Sequence, residues 1–133
     1  MPVLDASALL ALTYREDGHD HVAAQLGDDA VVSAVNWSEM LQKISAHGGD
    51  ADRIGDMLRA MGLRIEPLDA EDARRAARLY PHTREAVLSL GDRACLALAA
   101  RLGRVAITAD RAWKNVDGLA LDDDVVRIDL IRG

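Results

Sequence analysis

The chain has 133 residues, half of them hydrophobic and 29% charged, the size and balance of one soluble domain with one core. A net charge of −6 and only 3% aromatic residues, with no Phe, argue against a general nucleic-acid binder. Such proteins meet phosphates with a basic face or stack bases on an aromatic platform. The single cysteine, Cys95, leaves no internal disulfide and points to a reducing cytoplasm, and the apolar run Ala94–Ala100 is far too short to cross a membrane.

In chain order, Met1 and Pro2 lead directly into a strand-like Val3-Leu4-Asp5, with no visible export signal. Ala6–Tyr14 reads as a helix, His19–Leu26 as a second, and Ala30–Ser33 as a buried strand. Ser33 can cap the following helix, whose apolar stripe is Ala34, Trp37, Leu41 and Ile44. Gly48-Gly49 ends it. Asp50 can cap another helix bearing Ile54, Met57, Leu58 and Met61 at helical spacing, and Gly62 closes that one.

Leu63–Leu68 reads as a strand. Asp69 and Asp72 bracket the start of a helix with Ala73, Ala76, Ala77 and Tyr80 on one face and Pro81 as its stop. Ser89 and Asp92 have capping-box spacing ahead of Leu90–Leu102, which Gly103 ends. Val105–Thr108 and Val125–Leu130 complete the strands. Alternation of strand and helix predicts a three-layer α/β fold with a largely parallel sheet, whose site lies beyond the carboxyl ends of the strands.

Two aspartates stand where that rule points: Asp5 after the first strand and Asp110 after Val105–Thr108. Each has a plain alternative as a helix N-cap. Asp92 shares the apolar side of its helix with Cys95, Leu96 and Ala99. A carboxylate there is costly unless paired or metal-bound, although it also suits the far half of the capping box. Glu39, at roughly 100° per residue, lies opposite the Trp37–Leu41–Ile44 stripe, where a solvated surface residue is the simpler reading. It reaches a site only if the helix also packs its Val35–Gln42–Ala46 side.

Four segments taken together resemble the PIN-domain family. Asp5-Ala6-Ser7-Ala8-Leu9 is similar to its opening, where the strand ends in Asp-x-Ser. Ser33-Ala34-Val35-Asn36-Trp37-Ser38-Glu39 is similar to its second acidic segment. Ser89–Ala99 is similar to its third, and Thr108-Ala109-Asp110-Arg111-Ala112-Trp113 to its fourth. Order, spacing and length resemble a single-domain toxin of the VapC kind over residues 1–133. The resemblance implies Asp5, Glu39, Asp92 and Asp110 as a metal-binding acidic cluster, and so reverses the surface reading of Glu39. It also implies Ser7 and Thr108 as hydroxyls supporting metal or water; alone, they read as a helix-start and a strand-end residue.

The implied activity is cleavage of RNA phosphodiester bonds by metal-activated water. Hard carboxylate oxygens suit Mg²⁺, with Mn²⁺ as a substitute. The implied partners are an RNA substrate, a cognate antitoxin and a second copy of the chain, in the cytoplasm. The Ile54–Met61 helix is a candidate antitoxin surface if it is not simply core.

Competing chemistries lack their residues. Cys95 faces the core, His19 and His21 are too close to share a helix face, and His47 and His82 have no ligand spacing. A phosphate-signalling receiver domain wants an acidic pair after the first strand and a late Lys-Pro. A haloacid-dehalogenase-type phosphatase wants Asp-x-Asp where Ser7 stands. A catalytically silent PIN-like binding module is the remaining alternative, against which all four acidic positions are filled.

Overall fold

The computed structural model describes residues 1–132. Five short strands, β1 (Val3–Leu4), β2 (Val31–Ser33), β3 (Arg64–Glu66), β4 (Ala106–Thr108) and β7 (Ile128–Leu130), form a parallel sheet in the order β3-β2-β1-β4-β7. β5 (Ala120–Leu121) and β6 (Asp124–Val125) make a separate antiparallel pair. Six helices connect them: α1 (Ala6–Thr13), α2 (His19–Leu26), α3 (Ala34–Ala46), α4 (Ala51–Ala60), α5 (Ala70–Thr83) and α6 (Leu90–Leu102). A 3₁₀ helix, Arg111–Val116, follows β4.

Three layers follow from the period-two alternation of the strands. Val3, Val31 and Ala106 point into one core with Leu79 of α5, Cys95, Leu96 and Leu98 of α6, and Trp113. Their neighbours Leu4, Val32 and Ile107 point into a second core with Leu9, Val22, Met40, Ile44 and Leu58 of α1 to α4. The central strands are covered on both faces, which is why they read as continuous apolar runs. From β1 the chain winds one way to β2 and β3 and the other way to β4 and β7. The topological switch therefore falls between β1 and β4, where ligands of such sheets bind.

Several local expectations change. Pro81 does not stop its helix: α5 runs to Thr83, whose hydroxyl donates to Leu79 O (2.8 Å), and the Arg84 amide donates to Tyr80 O (3.0 Å). Pro81 sits on the exposed side of this last turn. The buried face of α5 is Asp72, Ala76, Leu79 and Thr83; Ala73, Ala77 and Tyr80 are exposed. The fully buried Asp72 turns the face, because it accepts from Arg101 of α6 at 2.8 Å. A buried carboxylate persists only with such a partner. The Leu63–Leu68 segment keeps only three strand residues, and Val125–Leu130 splits between β6 and β7. On α4 only Leu58 of the apolar stripe is buried; Met57 and Met61 are exposed.

Candidate metal centre

The switch point is built from the first residues after β1, β2 and β4 and the first turn of α6. Asp5, directly after β1, is only 3% exposed. It caps α1 by accepting from the Ala8 amide (2.8 Å), and it also accepts from two hydroxyls, Ser7 Oγ at 2.7 and 2.8 Å and Thr108 Oγ1 at 2.6 Å. Each hydroxyl has one proton and spends it on Asp5. That leaves the oxygens to accept backbone amides: Ser7 Oγ from Ala109 (2.9 Å) and Thr108 Oγ1 from Asp110 (3.0 Å). The triad of Asp5, Ser7 and Thr108 thus pins the end of β1 to the end of β4.

Burial raises the Asp5 carboxyl from 3.8 to about 6; the hydrogen bonds from Thr108, Ala8 and Ser7 oppose the shift, and the negative charge of Asp92 adds to it. Asp92, half-buried in the first turn of α6, is also shifted upward, by burial first and by the charge of Asp110; its bonds with Ser89 and the cation Lys43 pull the other way. Cys95, one turn deeper, is fully buried. Its thiol is pushed well up by burial and then by the charges of Asp5, Asp92 and Glu39. Those three carboxylates therefore all lie within electrostatic reach of Cys95, and Asp110 lies within reach of Asp92.

The N-cap readings and the site readings coexist. Asp5 caps α1, Asp110 Oδ1 accepts from the Ala112 amide (3.0 Å) at the 3₁₀ helix, and Ser89 and Asp92 form a reciprocal capping box (3.1 and 2.9 Å). Capping leaves one carboxylate oxygen free on Asp92 and on Asp110, whereas both oxygens of Asp5 already accept hydrogen bonds, from Ala8, Ser7 and Thr108. Asp110 is the most exposed of the set and stands at the rim.

Glu39 comes in by a route other than the one expected. The buried face of α3 is Asn36, Met40 and Ile44, while Gln42 and Ala46 are exposed. That places Glu39 on the edge of the packed face, against Gly91 of α6. A Cβ built on Gly91 would overlap the Glu39 carboxylate. Asn36 ties the pair together, donating from Nδ2 to Glu39 Oε1 (3.0 Å) and to Gly91 O (3.0 Å). Asn36 and Gly91 are positioning residues that the sequence reading passed over. The available signal was an amide four and eight residues before Met40 and Ile44, on what becomes the buried stripe.

The donors are hard oxygens, which match Mg²⁺ or Mn²⁺ in chemistry. Asn36 Oδ1, buried without a hydrogen-bond partner, adds a neutral acceptor beside the carboxylates. Among the described residues, no three His, Cys, Asp or Glu side chains stand preassembled for coordination. The donor set fits a hard cation, and burial, which raises the carboxyls of Asp5 and Asp92, makes their ionised forms costly without a counter-charge.

A family model described as the PIN domain matches residues 3–119. No curated protein matches the sequence significantly. Among solved structures, a chain of a toxin–antitoxin complex from Klebsiella pneumoniae is 19% identical, with 90% of this chain and 92% of that one covered at a TM-score of 0.70. VapC20 of Mycobacterium tuberculosis, described as a sarcin–ricin-loop-cleaving toxin, is 15% identical over 86% and 93% at 0.68. FitAcB from Neisseria gonorrhoeae is 17% identical over 98% of each chain at 0.64.

Proposed function

This chain belongs to the PIN-domain family, and from that premise we propose that it is a divalent-metal-dependent endoribonuclease, the toxin of a toxin–antitoxin pair. The observation that carries the reading is that Asp5, Glu39 and Asp92 lie within electrostatic reach of one buried thiol, with Asp110 near Asp92, on the side of the parallel sheet where its switch point lies. Asp5, Asp92 and Asp110 are the metal-holding residues in this reading, with Glu39 beside them. Bound Mg²⁺ or Mn²⁺ would supply an activated water and offset charge on the phosphate. Ser7 and Thr108 fix the orientation of Asp5 and keep it from turning away. Asn36 and Gly91 hold Glu39 against α6. The half-buried setting of Asp92 strengthens electrostatic interactions with whatever binds there.

The structural neighbours described as a toxin–antitoxin complex and as a member of a family of toxin–antitoxin systems support a cognate antitoxin as partner. In this reading the antitoxin presents an arginine to the acidic cluster, pairing bidentately with carboxylates that otherwise hold metal. A second copy of the chain completes the proposed assembly. The test is cleavage of labelled RNA by the purified chain. Cleavage is expected with Mg²⁺ or Mn²⁺ and not with Ca²⁺, whose looser coordination does not hold the geometry. Undiminished cleavage in excess chelator would overturn the proposal.

A further inference from the structure

A groove of about 340 Å³ runs between α1 and α3, beside the acidic cluster. Ser7 stands at its inner end, where its hydroxyl also holds Asp5. Leu10, Tyr14 and His47 line it, the last two with ring centroids 6.2 Å apart and planes at 55°. Lys43 and Arg132 line the sides. From Ser7 to Tyr14 is seven residues of helix, about 10 Å.

The charge of this groove departs from the rest of the molecule. The chain is net −6 and has two lysines, and one of them stands here. Among the described residues Lys43 makes no ion pair, so its charge is free for a ligand. The link between groove and cluster is Ser7, which lines the groove and donates its hydroxyl to Asp5. Glu16 at the lip is the one carboxylate lining the groove, and it is matched by Arg132 at 3.8 Å. His47 donates from Nδ1 to Lys43 O (2.8 Å), which fixes its ring and leaves Nε2 as the acceptor of the neutral ring.

We propose that this groove holds the single-stranded RNA segment next to the scissile phosphate, with Lys43 and Arg132 on the backbone and one base stacked on Tyr14 beside His47. The inference rests on the ribonuclease reading of the neighbouring cluster. Chemistry favours this occupant. A cationic wall with an exposed aromatic ring matches a nucleic-acid strand, which alternates anionic phosphate and a flat base. The low aromatic content excludes a long stacking platform; a single base needs only one ring. Tyr14 is 46% exposed, an uncovered aromatic in a chain with two tyrosines.

The experiment is fluorescence anisotropy of a fluorescein-labelled single-stranded RNA of mixed sequence, in excess chelator so that binding is read without cleavage. Lys43→Ala is expected to weaken binding about fivefold and to reduce the slope of log affinity against log salt by about 0.7, the share of one phosphate. Tyr14→Ala is expected to weaken it about tenfold, and Tyr14→Phe to restore it, since the stack needs the ring and not the hydroxyl. Arg53→Ala, on the exposed side of α4, is the control and should bind as wild type. Melting temperatures establish that each variant folds. Wild-type affinity in both Lys43→Ala and Tyr14→Ala, or loss confined to an acidic peptide probe, overturns the proposal. If Mg²⁺-dependent cleavage persists with unchanged KM in both variants, the groove falls and the nuclease reading stands. If the variants lose RNA affinity as expected but wild type never cleaves, the nuclease reading falls and the groove stands. Absence of RNA binding by wild type removes both.

Discussion

Asp5 carries three donated hydrogen bonds and still titrates high, because burial outweighs them. Above about pH 6 the folded chain bears an ionised carboxylate at a cost the unfolded chain does not have. As pH falls from about 6 toward 3.8, the folded state takes up the proton first, so this group's penalty fades and the metal-free protein gains stability. A shift of that size in a buried group corresponds to something on the order of 3 kcal/mol. Thermal melts of the metal-free protein should therefore show rising stability on mild acidification, and Asp5→Asn should flatten that dependence. A melting temperature that falls steadily below neutral pH would contradict it. Asp92 is shifted in the same direction, so Asp92→Asn should also raise the metal-free melting temperature at neutral pH. At the level of activity, Asp5→Asn, Asp92→Asn and Asp110→Asn should each cost more than the roughly 100-fold typical of losing an outer-shell metal partner. Glu39→Gln separates two roles for its residue. Full RNA cleavage by that variant would return Glu39 to the surface reading that helical spacing alone supports.

The elements explain both what was legible and what was not. Helix ends were readable because their caps are local: Asp5, Ser33, Asp50, Asp69 and Ser89 all accept from the expected first-turn amides. Buried faces were less readable because they depend on neighbours. On α5 an ion pair to Arg101 drew Asp72 inward and left Tyr80 outside, where Arg93 lies 5.3 Å over its ring. On α3 a buried Asn36 rotated the packed face toward Glu39, which no apolar count foresees. The α3–α6 contact gives a test confined to these two helices. Gly91→Ala places a methyl where the Glu39 carboxylate lies, the movable end of a flexible side chain. The protein should remain as stable as wild type or gain up to about 1 kcal/mol from helix propensity, while RNA cleavage drops with Glu39 displaced. Unchanged cleavage in a folded Gly91→Ala protein would show that the position of Glu39 is immaterial.

For the molecule as a whole, parallel order and two-sided burial were visible in the sequence because the strands are continuously apolar and alternate with capped helices. The small β5–β6 pair and the 3₁₀ helix were not, being too short for any periodicity to register. Among the described residues no helix is long and apolar enough to cross a membrane. Under the proposed function, an acidic chain meeting RNA needs local positive charge, which a cation at the switch point and Lys43 and Arg132 in the adjoining groove would supply. A cation that binds only the folded state stabilises it by mass action. Mg²⁺ should accordingly raise the melting temperature at neutral pH and do so less at mildly acidic pH, where Asp5 is protonated.

The central claim is that Asp5, Asp92 and Asp110, with Glu39, form one divalent-metal centre. Titration calorimetry with Mn²⁺ on the wild type, Asp92→Asn and Asp50→Asn tests it most directly, because Asp50 caps α4 on the exposed surface while Asp92 completes the capping box of α6, so both substitutions touch a helix start. The account predicts saturable binding by wild type and Asp50→Asn and its loss in Asp92→Asn. Equal binding by all three, or none by the wild type, would contradict it.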